Sequence, residues 1–254
     1  MTQLISSLEE ISAPYDLLYC DLWGCLHNGK ALFPEAVAAL QAFRRKGGAV
    51  VLLTNAPRTK HAVQKRLDAM DLPADAYDVI AASGDATQEA MLSGAAGRKL
   101  WHLGPGKDED LFTIIPEWLK DQPSIERVEL DEAEGIICTG PFDEFNETPD
   151  DYRARFLLAK TKGLKMLCAN PDLVVDFGET RIFCAGALAE LYEEMGGEVL
   201  SFGKPHPPVY DYARRQLAAK GINIDNDAAL AIGDGARTDI RGARAEGIDA
   251  VFVT

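Results

Sequence analysis

A chain of 254 residues with 47% apolar side chains can bury a sizeable core, either as one large domain or as a core with a smaller inserted domain. Its 40 acidic and 26 basic side chains give a formal net charge of −14, which excludes a basic surface for nucleic acid or for an anionic membrane. An anionic ligand would therefore need a local positive group, such as a lysine, a divalent cation or exposed backbone N–H groups.

The cysteine pattern and the amino-terminal segment predict a cytoplasmic protein. The cysteines are odd in number, lie mostly in apolar runs and form no C-x-x-C pair, which is typical of reduced core residues: Cys20, Cys25, Cys138, Cys168 and Cys184. Residues 1–14 include acidic side chains and no unbroken apolar stretch, so they do not resemble a signal peptide. No segment approaches the roughly 18 apolar residues that a membrane span requires.

Apolar runs of strand length alternate with segments of helical periodicity in the first third of the chain. The predicted strands are residues 15–20, 49–53 and 78–82, and the predicted helices are residues 34–46 and 59–70. Because the connections are short, each strand, helix and strand should form a right-handed parallel crossover.

The same alternation returns near the carboxyl terminus. Helices are predicted at residues 187–195, 209–220 and 239–246, and strands at 228–232 and 250–253. Together with the first third of the chain, these segments predict a doubly wound, parallel, Rossmann-like α/β core.

The middle of the chain predicts a second α/β unit. Strand-like runs at residues 99–103, 135–138 and 164–168 are separated by helices and by acidic or proline-bearing loops. We therefore predict an inserted domain at residues 83–183, with the core formed by residues 1–82 and 184–254.

Asp21 follows the first predicted strand and precedes a glycine turn at Gly24. A carboxylate at the carboxyl end of a buried strand points into the crevice where open α/β sheets bind ligands, so Asp21 is a candidate nucleophile or metal ligand. Taken alone, such an aspartate more often caps a turn.

A second carboxylate, Asp234, lies between two glycines directly after the strand at residues 228–232, and Asp239 follows five residues later. Mg²⁺ needs only one or two carboxylates in addition to water and phosphate oxygen, so Asp21 and Asp234 could share one ion. A Gly-Asp-Gly segment by itself also marks an ordinary turn.

Groups that could hold a phosphate follow other predicted strands. Thr54 and Asn55 lie between a strand and a helix, where a hydroxyl and backbone N–H groups can bind phosphate oxygens, although the pair is also a common helix cap. Arg58 could support the same site or lie on the surface. Lys204 supplies a compact positive charge before Pro205, in a segment that could also be a plain surface loop.

In this order, the segments containing Asp21, Thr54, Lys204 and Asp234 resemble the four motifs of the haloacid dehalogenase (HAD) superfamily of aspartate-nucleophile phosphatases. The resemblance implies that Asp21 forms an aspartyl-phosphate and that Thr54, Asn55 and Lys204 bind the phosphate. It also implies that Mg²⁺ is held by Asp21, Asp234 and the backbone carbonyl of Trp23. Asp239 would hold a metal-bound water or orient Lys204.

The position of the insert resembles one group within that superfamily, the NagD-like and 4-nitrophenylphosphatase-like proteins of subfamily IIA, whose α/β (C2-type) cap lies between the second and third motifs. Asn170-Pro171-Asp172 resembles the cap segment that faces the substrate in that group, although alone it is simply a turn. The resemblance implies a Mg²⁺-dependent phosphatase of a small metabolite, namely a sugar, nucleotide, aryl or acyl phosphate, in which Asn170 and Asp172 select the leaving group.

Trp23 departs from the family pattern. Most phosphatases of this kind carry a second aspartate two residues after the nucleophile, which protonates the leaving oxygen, and an indole cannot replace it. Three explanations stay open. In the first, the substrate has a good leaving group, and in the second, another group such as His27 supplies the proton. In the third, hydrolysis has been lost and the protein binds a phosphorylated ligand for regulation.

A phosphotransferase that uses an acceptor other than water is a further alternative. The sequence also leaves open whether the chain forms a homo-oligomer. The chain ends at Thr254, directly after a predicted strand, whereas relatives usually continue, so it is open whether another piece of the sheet or site follows.

Overall fold

The computed structural model describes residues 3–177 and 180–254, so Gly178 and Glu179 of the predicted insert lie outside the described residues. The chain forms two compact units, which we call the first and the second unit. The first consists of Met1–Thr54, Gln64–Ala81 and Tyr210–Thr254, and the second of Asn55–Val63 and Ala82–Val209. Within the described ranges, no helix has the length and apolar character needed to cross a membrane.

Most helices and strands of the described chain alternate. The first elements are β1 (Leu17–Cys20), α1 (Pro34–Arg45), β2 (Ala49–Thr54), α2 (Lys60–Asp68) and β3 (Val79–Ala82). The next are α3 (Ser83–Ser93), β4 (Lys99–Leu103), α4 (Asp110–Thr113), β5 (Glu126–Arg127), β6 (Gly135–Cys138), α5 (Arg153–Thr161), β7 (Lys165–Cys168), β8 (Val174–Phe177), β9 (Thr180–Phe183), α6 (Ala185–Glu194) and β10 (Glu198–Ser201). The last are α7 (Pro207–Ala219), β11 (Ala229–Gly233), α8 (Arg241–Ala245) and β12 (Asp249–Phe252). The alternation is broken where β5 is followed directly by β6, and β7 by the hairpin of β8 and β9.

The first sheet has the strand order β12-β11-β1-β2-β3. Strand β1 pairs in parallel with β2 on one side and with β11 on the other, so that Cys20 is opposite both Leu52 and Ile232. All residues of β1 and β2 are buried, as expected for a parallel sheet that is covered on both faces. The chain leaves β1 towards β2 and leaves β11 towards β12, which makes the crevice between β1 and β11 the topological switch point of this sheet.

The second sheet has the order β10-β7-β6-β4-β5, and its strand pairs are also parallel. Its core includes the fully buried rings of Tyr152, Phe156 and Tyr192, which lie with the sheet residues Ile136 and Met166 in one apolar cluster. Strands β8 and β9 form a separate antiparallel hairpin. The second unit is thus an α/β unit with its own core.

The sequence correctly predicted the fold class, a mixed α/β protein with mostly parallel, Rossmann-like sheets. Helix α1 shows why: Val37, Leu40 and Phe43 repeat at helical spacing and are buried, and Pro34 occupies the first turn, where its missing N–H costs nothing. The cysteines of the described chain are free and buried, as predicted.

The second unit extends further along the chain than the predicted insert, which ended at residue 183. Strand β10 pairs with β7, with Glu198 opposite Lys165 and Ser201 opposite Cys168. Helix α6 contributes Leu188 and Leu191 to the core of the second unit. The segment from 184 to 209 therefore belongs to the second unit. Its buried side chains pack into the core of that unit, and its strand forms hydrogen bonds within the second sheet.

Candidate active site

The carboxyl edge of the first sheet positions three of the predicted site residues. Asp21 follows β1, and its backbone N–H donates to the carbonyl oxygen of Ile232 at 2.9 Å. Asp234 follows β11 immediately, and Thr54 is the buried last residue of β2. Because β1 lies between β2 and β11, the three residues emerge from adjacent strands, with Asp21 and Asp234 on the two sides of the switch point.

The structure brings Asp21 and Asp234 together with a residue that the sequence analysis missed, Cys25. One ligand atom from each of the three lies within 4.8 Å of the others. Asp21 and Cys25 are buried, whereas Asp234 is exposed. Burial, and after it the neighbouring Asp21, raises the pKa of the Cys25 thiol, so the thiol is neutral beside the two carboxylates. The signal for Cys25 was its position one residue after Gly24, whose turn brings the next side chain back towards Asp21.

Gly24 makes room for this pair of carboxylates. Its φ is +83°, a left-handed conformation that favours glycine, and a Cβ atom built on it would lie 1.9 Å from Oδ2 of Asp234. Two carboxylates held this close suit a hard divalent cation such as Mg²⁺, which prefers oxygen ligands. The residues present therefore fit the predicted ion, with Asp21 and Asp234 as its carboxylate ligands.

Asp239 lies in a single π-helical turn, Ala236–Ile240, that follows the Gly-Asp-Gly segment. Its buried carboxylate accepts a hydrogen bond from the backbone N–H of Gly235 at 3.1 Å, so it folds back on its own loop. A Cβ on Gly233 would lie 2.2 Å from Asp239, which explains the need for glycine there. Asp239 thereby fixes the loop that carries Asp234.

Trp23 is packed into the loop between β1 and α1. Its ring lies against Gly29, where a Cβ atom would come within 2.4 Å, and the Arg66 guanidinium lies over it at 5.4 Å from the ring centroid. The imidazole of His27 contacts the same indole edge-on, with 5.7 Å between ring centroids. The position of the expected second aspartate is thus filled by a ring that cannot donate a titratable proton.

His27 is not a ready replacement for that acid. Its side chain is buried, and Nδ1 accepts a hydrogen bond from the backbone N–H of Gly29 at 3.0 Å, which requires that nitrogen to be unprotonated. Burial, reinforced by the positive charge of Arg66, lowers the pKa of His27 to about 4. At neutral pH the ring is therefore a neutral imidazole.

The second unit brings Asn55, Lys204 and Asp172 together in what we call the Asn55 clamp. Oδ1 of Asn55 accepts from the Lys204 backbone N–H at 2.6 Å, and Nδ2 donates to the Lys204 carbonyl at 3.0 Å. Nδ2 also donates to Oδ1 of Asp172 at 2.8 Å. Both amide hydrogens are therefore engaged, so any phosphate contact of Asn55 would use its backbone N–H.

Glycine and a tight turn make the Asn55 clamp possible. A Cβ on Gly203 would lie 2.4 Å from Oδ1 of Asn55 and 2.6 Å from Pro171, so only glycine fits before Lys204. Oδ1 of Asn170 accepts from the Asp172 backbone N–H at 3.0 Å, which closes the Asn-Pro-Asp turn. Lys204 itself is buried, with 2% exposure. The side chain of Asn55 thus fixes the backbone of one predicted site residue and the carboxylate of another.

Arg58 forms an ion pair with Asp108. Its Nε donates to Oδ1 of Asp108 at 2.9 Å, and the Asp108 side chain is only 1% exposed. Burial raises the pKa of the Asp108 carboxyl, while attraction to Arg58 and a hydrogen bond from Thr139 oppose that rise. No sequence pattern pointed to Asp108, because its partner lies 50 residues away in the chain.

Two protein-family models and several solved structures match this chain. One family model, described as haloacid dehalogenase-like hydrolase, matches residues 18–114, and a second, described as HAD-hydrolase-like, matches residues 201–254. The crystal structure of a haloacid dehalogenase-like hydrolase from Brucella suis 1330 is 38% identical, covers 99% of this chain and 89% of its own, and has a TM-score of 0.90. The chain belongs to the haloacid dehalogenase-like hydrolase family. No curated protein matches it significantly.

Solved phosphatases share the fold of this HAD protein. A 4-nitrophenylphosphatase from Thermotoga maritima is 20% identical, with a TM-score of 0.70 over 95% of this chain and 86% of its own. A glycerol phosphate phosphatase from Mycobacterium tuberculosis, in complex with magnesium, is 22% identical, with a TM-score of 0.67 over 95% of this chain and 69% of its own. The family predicted from the motifs is therefore confirmed.

We expect Asn55→Ala to destabilise the protein by about 2 to 4 kcal/mol, because it removes several hydrogen bonds and leaves buried partners unpaired. Asn146→Ala is the matched control, since the Asn146 amide is exposed and donates to the nearby Asp143 carboxylate at 2.8 Å. Urea unfolding measures both. Equal, small changes in the two variants would show that the Asn55 clamp contributes nothing to stability.

We also expect His27 to remain neutral from pH 8 down to about pH 5, as followed by the imidazole resonances in NMR. The unfolded chain takes up this proton near the ordinary pKa of 6.5 and the folded chain near 4. The stability from His27 is therefore complete above pH 6.5 and is lost as the pH falls through 4. In His27→Gln the pH dependence of the unfolding free energy should be flatter over this range, and identical slopes would contradict the assignment.

Proposed function

We propose that this HAD protein is a Mg²⁺-dependent phosphatase that acts on a small phosphorylated metabolite through an aspartyl-phosphate on Asp21. The main support for the proposal is the position of the Asp21 and Asp234 carboxylates, which have oxygen atoms within 4.8 Å of each other at the switch point of the first sheet. The fold shared with two phosphatases, one of them a magnesium complex, supports the same reading.

In the proposed reaction an oxygen of the Asp21 carboxylate attacks phosphorus. The bond from phosphorus to the ester oxygen breaks, and the leaving group departs with the electron pair of that bond. Water then cleaves the aspartyl-phosphate, which releases phosphate and restores the carboxylate. A divalent cation held by Asp21, Asp234 and the Trp23 carbonyl would neutralise the charge of the phosphate.

The other predicted residues have distinct roles in the proposed reaction. The Thr54 hydroxyl, the backbone N–H of Asn55 and the ammonium group of Lys204 bind phosphate oxygens. Asp239 holds the Asp234 loop in place, as its bond to Gly235 indicates. Asn170 and Asp172 contribute to selection of the leaving group.

Neither Trp23 nor His27 supplies a proton for the leaving oxygen. Trp23 does not titrate, and His27 is neutral with one nitrogen accepting from Gly29. Losing a general acid costs roughly 10²- to 10⁴-fold in rate for a poor leaving group and little for a good one. We therefore propose aryl or acyl phosphates as the preferred substrates. The same observation favours a second candidate, a weakened enzyme that binds a phosphorylated ligand for regulation.

The first test compares phosphate release from aryl, acyl, sugar and nucleotide phosphates, with Mg²⁺ and after chelation. We expect Asp21→Asn to lower kcat by roughly 10⁴-fold or more, because the nucleophile is lost. The control is Asp16→Asn, an exposed aspartate at the other end of β1. If folded wild-type protein with Mg²⁺ releases no phosphate from any member, the phosphatase proposal fails and ligand binding is favoured.

Trp23→Asp tests the missing acid directly. A restored carboxyl group should raise kcat/KM for alkyl phosphates relative to aryl phosphates by roughly 10²-fold or more, because only the alkyl leaving group needs the proton. Trp23→Asn removes the same ring contacts and supplies no acid, so it controls for lost packing. An equal alkyl-to-aryl ratio in the two variants would mean that proton donation from this position does not limit the reaction.

A further inference from the structure

The thiol of Cys25 faces the candidate metal site of the first unit. Its sulfur lies within 4.8 Å of a carboxylate oxygen of Asp21 and of one of Asp234. All three residues belong to the first unit, so the cluster is complete within one compact body. Two carboxylates and one cysteine offer a cation both oxygen and sulfur as ligand atoms.

Burial leaves this thiol without a hydrogen-bond partner. Cys25 is 7% exposed, and among the residues that the structure describes its sulfur forms neither a hydrogen bond nor a disulfide. The neighbouring buried thiol of Cys20, in contrast, donates to the carbonyl oxygen of Asp21 at 3.2 Å. Cys25 thus has the position of a metal ligand and lacks the hydrogen bond that would give its thiol another role.

The loop that carries Cys25 is fixed by its own backbone. The N–H of Gly24 donates to the carbonyl of His27 at 2.9 Å, and the N–H groups of Leu26 and His27 both donate to the carbonyl of Leu22, at 2.8 and 3.0 Å. These bonds hold the chain on both sides of Cys25, so the turn sets the direction of its side chain. A ligand held in advance in this way loses little entropy when an ion binds.

A sulfur ligand changes which cation such a site favours. Mg²⁺ prefers oxygen ligands and gains nothing from a thiol. Zn²⁺ accepts cysteine sulfur at about 2.3 Å and carboxylate oxygen at about 2.0 to 2.2 Å, and three protein ligands with one water complete its usual tetrahedron. Bonds of these lengths at tetrahedral angles separate the ligand atoms by about 3.5 Å. A cluster that spans at most 4.8 Å therefore needs only a small contraction.

We propose that Asp21, Cys25 and Asp234 bind Zn²⁺ in preference to Mg²⁺, with Cys25 as the ligand that distinguishes the two ions. On binding, the S–H bond breaks, the sulfur donates its electron pair to Zn²⁺, and the proton passes to the solvent. No group is oxidised or reduced. The binding of Zn²⁺ needs only residues of the first unit, whereas its effect on turnover rests on the proposed phosphatase function.

The charge of the ligands determines that effect. The charges of Mg²⁺ and of the two carboxylates cancel, so a site that holds Mg²⁺ is neutral towards a phosphate. A thiolate adds one more negative charge, so the same site with Zn²⁺ is net negative and repels a phosphate. Zn²⁺ is therefore an inhibitor of the proposed reaction, and Cys25 makes the activity depend on the ratio of Zn²⁺ to Mg²⁺.

Co²⁺ tests the sulfur ligand directly. It takes ligands similar to those of Zn²⁺, and its bond to a thiolate absorbs in the near ultraviolet. Wild-type protein should show this absorption with one Co²⁺ per chain, and Zn²⁺ should remove it. Cys25→Ser should lack the absorption and bind Zn²⁺ at least roughly 100-fold more weakly in calorimetry, because a direct ligand contributes more than the outer-shell partners whose loss costs about 10- to 100-fold. Its Mg²⁺ affinity should change far less.

Cys20→Ser is the matched control, because Cys20 is also buried beside Asp21 but its thiol is not one of the three clustered donors. It should keep the absorption and the Zn²⁺ affinity. Asp234→Asn keeps every cysteine and should weaken Zn²⁺ binding, which locates the site. Should Cys25→Ser fail to fold, X-ray absorption at the zinc edge of wild-type protein gives the answer, with one sulfur expected at about 2.3 Å.

Zinc bound to wild-type protein through oxygen and nitrogen alone would overturn the proposal. A Co²⁺–thiolate absorption that survives in Cys25→Ser, or an equal loss of Zn²⁺ and Mg²⁺ affinity in that variant, would also overturn it. These measurements need no turnover. Sulfur ligation without phosphate release under Mg²⁺ would support the zinc site and contradict the phosphatase proposal, and release without sulfur ligation would do the reverse.

Inhibition of turnover tests the consequence. Zn²⁺ added to active protein under Mg²⁺ should lower phosphate release in the wild type and in Cys20→Ser, and should require a roughly 100-fold higher concentration in Cys25→Ser, in proportion to the lost affinity. Equal inhibition of all three proteins would contradict the role assigned to Cys25.

Discussion

Mutual repulsion between the carboxylates of Asp21 and Asp234 is the constraint on which the rest of the site depends. Two like charges less than 4.8 Å apart repel by roughly 3 to 4 kcal/mol at an effective dielectric constant of about 20. The parallel pairing of β1 with β11 nevertheless brings the two strand ends together. Gly24 has no side chain and so leaves space for Asp234. Such an arrangement is stable in the presence of a cation, and this is why the pair indicates metal-dependent chemistry.

Much of the fold could be predicted because the central strands are continuous apolar runs that end in polar residues. Strands β1, β2 and β6 are buried at every residue, and so their sequence signal is unambiguous. Strand β10 was missed because half of its residues are exposed and it follows two glycines, Gly196 and Gly197. Its membership in the second sheet depends on pairing with β7, about 30 residues earlier, which no local pattern encodes.

The same distinction between local and long-range information applies to the site. Asp21 and Asp234 could be placed at one edge because the carboxyl ends of neighbouring parallel strands must meet there. The partners of Asn55 could not be foreseen, since Lys204 is 149 residues away and the bonds involve its backbone. The sequence predicts that Asn55 belongs to the phosphate cradle, which stays a prediction, and the structure adds that its side chain holds two other predicted site residues in place. Contacts of this kind follow from packing, so they become visible only in three dimensions.

The proposal for Trp23 narrows the chemistry of the substrate. Without an acid beside Asp21, the barrier rises by roughly 3 to 5 kcal/mol for an alkyl ester, but hardly at all when the departing oxygen is already a weak base. That condition selects an aryl or acyl phosphate.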